Sequence, residues 1–286
     1  MTATCSPTPT STPTPEPTEP CLHLYNHPKD KFSDQEPVLD EYAYKSSNVS
    51  ISIEKIVDPE GFPTPLAVFV ADIYIESINS FRASWSKNTP EESQYAPLDI
   101  LEFMSQKKAI LAINGDYASK KDFGCLVRDG VCYRTIDNPR YDACILLKDG
   151  SMVVLEGKDA TSEAIMAMDP WQAWCFGPSL LNEEGKAKNT DEFNSSLVAP
   201  NPRTVLGYYS PGHYCFVVVD GRQDRYSKGL TLYQLSRFME SLGCQMAYNM
   251  DGGGSSVLAF DNRRINHQQS TRSIPDIIYI CEPEVE

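Results

Sequence analysis

The chain has 286 residues, 41% of them hydrophobic and 10% aromatic, enough to bury a sizeable core. Its formal net charge of -14 and pI of about 4.7 speak against nucleic acid or an anionic membrane surface as a partner, so a bound anion would rely on a few local cations and backbone N–H groups. No stretch approaches the run of about 18 apolar residues that a transmembrane helix needs.

Residues 1–20, "MTATCSPTPTSTPTPEPTEP", have no apolar central region and do not resemble a signal peptide. Their Pro/Thr content predicts an extended linker. Cys5 before a Ser/Thr/Pro tether is the pattern left when a bacterial lipoprotein signal is removed. The expectation is an extracytoplasmic protein, secreted or lipid-anchored, with membrane contact only through that anchor; the alternative is a tail with an incidental thiol. Residues 1–38 are assigned to this linker and its lead-in, and residues 39–286 to one domain.

Within that domain, "NVSISIEKIV" (48–57) alternates as a strand does, and "LAVFVADIYIES" (66–77) is a longer strand of β-branched and aromatic residues. "PLDILEFMSQKKA" (97–109) begins with proline and carries Leu98, Leu101 and Met104 at helical spacing, then runs into the strand "AILAIN" (109–114). Two hairpins follow, at 125–134 and 143–156, each with Asp-Gly at its turn. Residues 159–169 are predicted helical and "CFGPSLLNEEGKA" (175–187) a strand and turn. Strands are expected at 203–210 and 213–221. The sharpest helix signal is "TLYQLSRFMESLG" (231–243): Thr231 and Gln234 form a capping box, Leu232, Leu235, Phe238 and Leu242 a buried stripe, and Gly243 the stop. Further strands are expected at 244–250 and 276–281. Strands outnumber helices, and hairpins mix with strand–helix–strand units. This predicts an α+β fold, a mixed, twisted β-sheet core with a few packed helices in a single domain.

The nine cysteines are odd in number and show no C-x-x-C spacing, so zinc and thioredoxin-like chemistry are unsupported; most lie in apolar runs and are expected as small buried hydrophobes. Some could pair, but spacing does not give the connectivity. The four histidines are scattered without ligand spacing and are expected to be structural or on the surface.

The residues suited to chemistry sit where strands end. "AYNMDGGGSSVLAF" (247–260) places Gly252, Gly253 and Gly254 after Asp251. Successive glycine N–H groups can converge on an anion, and side-chain-free backbone lets a ligand approach closely. No G-K-[ST] follows and the G-x-G-x-x-G spacing is absent, so neither a P-loop nor a dinucleotide fold is indicated. Asp251 is either a catalytic carboxylate or a cap on the bend; Ser255 and Ser256 either donate to ligand oxygens or cap the turn. Three weaker stretches share the strand-end pattern: Asn114-Gly115-Asp116-Tyr117, Arg203-Thr204, and Asp220-Gly221-Arg222.

In this order, with Pro202 before Arg203, Gly207 after it, Gly229-Leu230-Thr231, and Asn249-Met250 before Asp251, these stretches resemble the phosphodiester glycosidase family. "FGPSLLNEEG" and the closing "TRSIPD" are similar to further family segments, and the likeness spans roughly residues 66–281. Asp116 departs from it, an acid where a small residue is common. The resemblance implies hydrolysis of a sugar-1-phosphodiester, of the N-acetylglucosamine-1-phospho type, with the sugar–oxygen bond cleaved. It implies catalytic roles for Asp251, Asp220 and Asp116, with Asp251 nearest the anomeric carbon as nucleophile or base and the other two competing for the second carboxylate role. It implies substrate contacts from Asn114, Tyr117, Arg203, Thr204, Arg222, Asn249, Gly252, Gly253, Gly254, Ser255 and Ser256. Arg203 suits phosphate because guanidinium matches it in a bidentate way. No cofactor is required by this chemistry, although acids beside a phosphate also suit Ca²⁺ or Mg²⁺. The expected partner is a sugar phosphate or glycan. The alternatives are a non-catalytic phosphosugar-binding module and a phosphodiesterase that cleaves P–O, chemistry that usually leans on His or paired metals.

Overall fold

The computed structural model describes residues 27–118, 122–193, 199–269 and 271–283. The linker expected at 1–20, with Cys5, lies outside the described residues. The chain begins with β1 (Val38–Leu39), β2 (Ala43–Lys45), β3 (Val49–Val57), β4 (Ala67–Ile75) and β5 (Phe81–Trp85). Then come α1 (Pro90–Tyr95), α2 (Ile100–Lys107) and β6 (Leu111–Asn114), and the hairpins β7 (Gly124–Arg128)–β8 (Val131–Ile136) and β9 (Ala143–Leu147)–β10 (Met152–Leu155). They are followed by α3 (Ser162–Ala167), β11 (Pro170–Trp174), β12 (Arg203–Ser210), β13 (His213–Val219), α4 (Leu232–Ser241) and β14 (Met246–Asn249). β15 (Leu258–Phe260), β16 (Arg263–Arg264) and β17 (Asp276–Ile280) close the chain.

These strands form three sheets, in the orders β1-β2-β3-β4-β13-β12-β14, β10-β9-β11-β7-β8 and β16-β15-β6-β17-β5. The three sheets pack around one core. Phe81 of β5 meets Trp174 of β11, Tyr214 and Phe216 of β13 at ring-centroid distances of 6.1, 5.1 and 5.6 Å, so one fully buried ring touches all three sheets. Each sheet also carries a helix on its outer face. Leu232, Leu235, Phe238 and Met239 of α4 pack on Val205, Cys215, Val217 and Val219; Ile100, Phe103 and Met104 of α2 pack on Ala112, Ile277 and Tyr279; Ile165 of α3 packs on Val127, Ile145 and Ala173. With both faces covered, β13 from Tyr214 to Val219 and β4 from Ala67 to Ala71 read as continuous apolar runs rather than as alternation.

The mixed sheet expected from the sequence is corrected: every pair of named strands is antiparallel. The strand–helix–strand unit β13–α4–β14 does return its second strand in the same direction as its first, but β12 lies between them and pairs with both. β5 and β6 flank β17 in the same way. The helix α4 has the capping box as expected, with Thr231 Oγ1 accepting from Gln234 N and Gln234 Oε1 from Thr231 N. Leu242 is only half-buried, because it falls at the C-cap. The segment 175–187 is a turn with isolated bridges, Ser179 to Tyr248 and Leu181 to Ala187; the strand precedes it as β11, whose Pro170 and two tryptophans hid it from pattern reading. Cys125, Cys144, Cys175, Cys215 and Cys244 are buried, as their apolar neighbours predict.

Truncating the shared ring should unfold the arrangement selectively. Phe81→Ala is expected to cost about 3–5 kcal/mol, the range for emptying a fully buried aromatic site, measured by urea denaturation; a loss under 1 kcal/mol would mean that the sheets do not depend on this contact.

Candidate active site

Four strand ends meet at one edge of the molecule. β12 begins where β13 and β14 end, since Arg203 pairs with Val219 and Val205 with Asn249. β6 comes alongside through Asn114, which is almost fully buried. Asn114 Nδ2 donates to the carbonyl of Asp251 at 2.7 Å, and its Oδ1 accepts from Thr204 Oγ1 at 2.8 Å and from Val257 N at 3.2 Å. One amide thus ties β6 and β12 to both ends of the glycine loop. Buried polar groups must be satisfied, and this amide uses both its donor and its acceptor to do so.

The glycines are required for a different reason from the one expected. The N–H of Gly252 donates to Asp251 Oδ1 at 2.9 Å and that of Gly253 to the carbonyl of Pro202 at 2.9 Å. Two of the three amides expected to cradle an anion are therefore turned into the fold. What the loop demands is close approach. A Cβ on Gly252 would lie 2.9 Å from the Pro202 oxygen. Gly253 has φ +62°, and a Cβ there would lie 2.9 Å from Arg222 Nη2. The Arg222 guanidinium rests against the glycine loop, its Nε donating to Asn201 Oδ1 at 3.0 Å. Arg272 approaches from the other side, its Cδ 3.7 Å from the place of a Cβ on Gly254.

A small pocket opens between these groups. Asp220, Arg222, Gly253, Gly254, Ser256 and His267 line it, together with Pro202 and Gln268. The Ser256 hydroxyl is buried in its wall with no hydrogen-bond partner, and so is Oδ1 of Asn249 nearby in the chain. Asp251 is half-buried at the head of the loop. Ser255 is buried within the loop, and Tyr117 is half-buried with φ +61°.

Asp220 is more fully engaged than a catalytic carboxylate needs to be. Its Oδ1 accepts from Asn266 Nδ2 at 2.8 Å, and its Oδ2 accepts from the N–H of His267 at 2.9 Å and the Tyr226 hydroxyl at 3.2 Å. It braces the 266–268 segment that forms one pocket wall. The Arg203 guanidinium is held by backbone carbonyls: Nε donates to that of Leu230 and Nη2 to that of Ala199, both at 3.0 Å. Burial, with the Arg222 charge nearby, lowers its guanidinium to about 10, still a cation at neutral pH.

Asp116 is also inside the protein. Its Oδ1 pairs with Arg128 Nη2 at 3.0 Å and its Oδ2 accepts from Cys175 N at 3.2 Å, with both ion-pair partners nearly inaccessible. Its own N–H donates to Asp276 Oδ2 at 2.9 Å. Asp276 packs so tightly under Gly115 that a Cβ there would lie 1.9 Å from its carboxyl oxygen. Burial pushes the Asp276 carboxyl well above the usual range, reinforced by the charges of Asp116 and Asp251 and only partly offset by Arg128. The Asp276 carboxyl thus lies against the Asp116 backbone and within electrostatic reach of Asp251.

Sequence reasoning thus brought together Asn114, Thr204, Asp220, Arg222, Asn249 and residues 251–256. It gave no role to Asn266, His267, Gln268, Arg272 or Asp276. The one signal for the last two was the "TRSIPD" segment; the polar run at 266–269 gave none. Among the described residues no group of three or more His, Cys, Asp or Glu side chains is placed to hold a metal ion.

The raised Asp276 carboxyl has a measurable consequence. A carboxyl that holds its proton more tightly folded than unfolded contributes stability below the unfolded pKa of about 4, and that contribution is lost as pH rises towards the folded value. Asp276→Asn mimics the protonated form. The wild type should lose stability relative to this variant as pH rises above about 4, read by urea unfolding at several pH values; a constant difference would mean that Asp276 is ionised in the folded protein.

Comparison with known proteins places this geometry. The family model for phosphodiester glycosidases matches residues 107–281, more than half of the chain and all of the site except its lead-in. A SPbeta prophage-derived uncharacterized protein, YomE, of Bacillus subtilis (strain 168) is 28% identical over 192 residues, which is 65% of this chain and 30% of that protein. The match thus spans under a third of that relative's length. Among solved structures, the catalytic domain of zebrafish N-acetylglucosamine-1-phosphodiester alpha-N-acetylglucosaminidase, auto-inhibited by its pro-peptide, aligns with a TM-score of 0.63 at 19% identity, covering 82% of this chain and 83% of that one. A hypothetical protein from Synechocystis aligns with a TM-score of 0.62 at 13% identity, over 82% of this chain and 62% of that one. At those identities the structural likeness speaks for the fold alone. With the family model spanning the glycine loop, the Asp220–Arg222 turn and the closing strand, the chain belongs to the phosphodiester glycosidase family.

Proposed function

We propose that the protein hydrolyses a sugar-1-phosphodiester, of the N-acetylglucosamine-1-phospho type, by cleaving the glycosidic C–O bond. The observation that carries this is the Arg222 guanidinium held against Gly253, beside the unpartnered Ser256 hydroxyl, in a pocket at the strand ends. In a chain of net charge -14 this is a local cationic site that would suit a phosphodiester. Arg222 takes the phosphate-binding role first assigned to Arg203, whose guanidinium is occupied by two carbonyls. Arg272 stands against Gly254 and would neutralise the second formal charge as the leaving phosphate monoester departs.

The chemistry asks little of a general acid, because a phosphate monoester is a stable anion. It asks instead for stabilisation of an oxocarbenium-like sugar. We assign that role to Asp251, half-buried at the head of the glycine loop, whose Oδ1 also accepts from the Gly252 N–H; Asp220 braces the pocket wall and Asp116 pairs with Arg128. The position of Asp251 is fixed from behind, by the Asn114 amide on its carbonyl. The Ser256 hydroxyl would donate to a phosphate or sugar oxygen. We place the activity outside the cytoplasm, on phosphate-linked sugars of an envelope polymer, an assignment that rests on the Pro/Thr-rich segment alone.

Hydrolysis of an N-acetylglucosamine-1-phosphodiester in ¹⁸O water should put label on the anomeric oxygen of the released sugar; label on phosphate would overturn C–O cleavage. Asp251→Asn is expected to lower kcat by about 10²-fold or more while leaving the melting temperature unchanged. Arg222→Ala should raise KM by about tenfold to a hundredfold, the loss of one charge-assisted contact, and wild-type KM in that variant would remove Arg222 from the phosphate site.

A further inference from the structure

Two buried thiols meet on the α4 side of the largest sheet. Cys215 Sγ of β13 and Cys244 Sγ, just before β14, are 3.7 Å apart, and both residues are almost wholly inaccessible. They do not lie on neighbouring strands. β12 runs between β13 and β14, and the residue it places between the two sulfurs is Gly207, which pairs with Cys215 on one side and Ala247 on the other. A Cβ at Gly207 would lie 2.4 Å from Cys215 Sγ and 3.0 Å from Cys244 Sγ. The missing side chain is what lets the sulfurs reach each other across the strand. Met239 of α4 closes the space from above, its Cε 2.9 Å from the same point.

We propose that Cys215 and Cys244 form a disulfide that spans β12 and cross-links the two strands leading into the active-site loops. From Cys215, β13 leads to Asp220, and from Cys244 the chain enters β14 and leads to Asp251, the two strands running in the same direction. A link at their far ends would fix the relative position of the two loops that wall the pocket. This inference stands apart from the choice of substrate. The oxidant is a small-molecule disulfide such as glutathione disulfide, encountered while the chain folds, before α4 covers the pair. Cys244 as thiolate attacks one sulfur of the oxidant, forming a mixed disulfide and releasing one glutathione thiolate. Cys215 then loses its proton and attacks Cys244 Sγ, releasing the second. Two S–H bonds are lost, one S–S bond forms, and the oxidant is reduced to two thiols.

The test is to refold the full chain from denaturant in a glutathione redox buffer, alkylate remaining thiols, and map the digested protein by mass spectrometry. The expected result is a dominant Cys215–Cys244 linked peptide, an intact mass lower by two hydrogens, and a melting temperature several degrees above that of the reduced protein. In Cys215→Ala or Cys244→Ala the linked peptide and the extra thermal stability should both be absent. Full alkylation of both residues in the refolded wild type, or linkage of either to a different cysteine, would overturn the proposal.

Discussion

The site depends on one buried amide. Asn114 reaches from the end of β6 to hold the Asp251 carbonyl, the Thr204 hydroxyl and the Val257 N–H. These three groups belong to the start of β12 and to both flanks of the glycine loop. A neutral amide is suited to this because it carries donor and acceptor together and costs less to bury than a charge. An aspartate in its place would present only acceptors to the Asp251 carbonyl. The loop's conformation, and with it the position of Asp251 and of the glycines that admit Arg222, is therefore set from β6, more than 130 residues away in sequence.

Charge is arranged in two layers around that amide. On the solvent side are Arg222 and Arg272, both exposed and both against the glycines. On the inner side are Asp116, Asp276 and Arg128, all inaccessible. Two carboxyl groups and one guanidinium in so dry a setting favour retention of a proton, as the raised Asp276 carboxyl indicates. The inner layer thus supports the N-G-D segment from within. Asp220 stabilises the outer wall by a different route, with three hydrogen bonds into the 226 and 266–267 segments.

The architecture explains why the site lies where it does. Three antiparallel sheets around one core, each covered by a helix, bury both faces of their central strands. The middles of β12 and β13 are buried and apolar, so the polar groups of the site stand at strand ends: Thr204 near the start of β12, Asp220 just past β13 and Asn249 at the end of β14. The same double burial accounts for the long apolar runs of the sequence and for cysteines that behave as small hydrophobes.

What the sequence by itself determined is whatever a short segment decides alone. The capping box of α4, the Asp-Gly turns and the strand runs at 49–57 and 67–75 are fixed by local preference, and each was legible. Tertiary structure decided what depends on partners distant in the chain. It turned the expected mixed sheet antiparallel by inserting β12 between β13 and β14, gave the pocket Arg222 while Arg203 went to two carbonyls, and paired Asp116 with Asp276 and Cys215 with Cys244. A side chain's type is written in the sequence, but the direction in which it points, and the charge or sulfur it meets there, are set by packing.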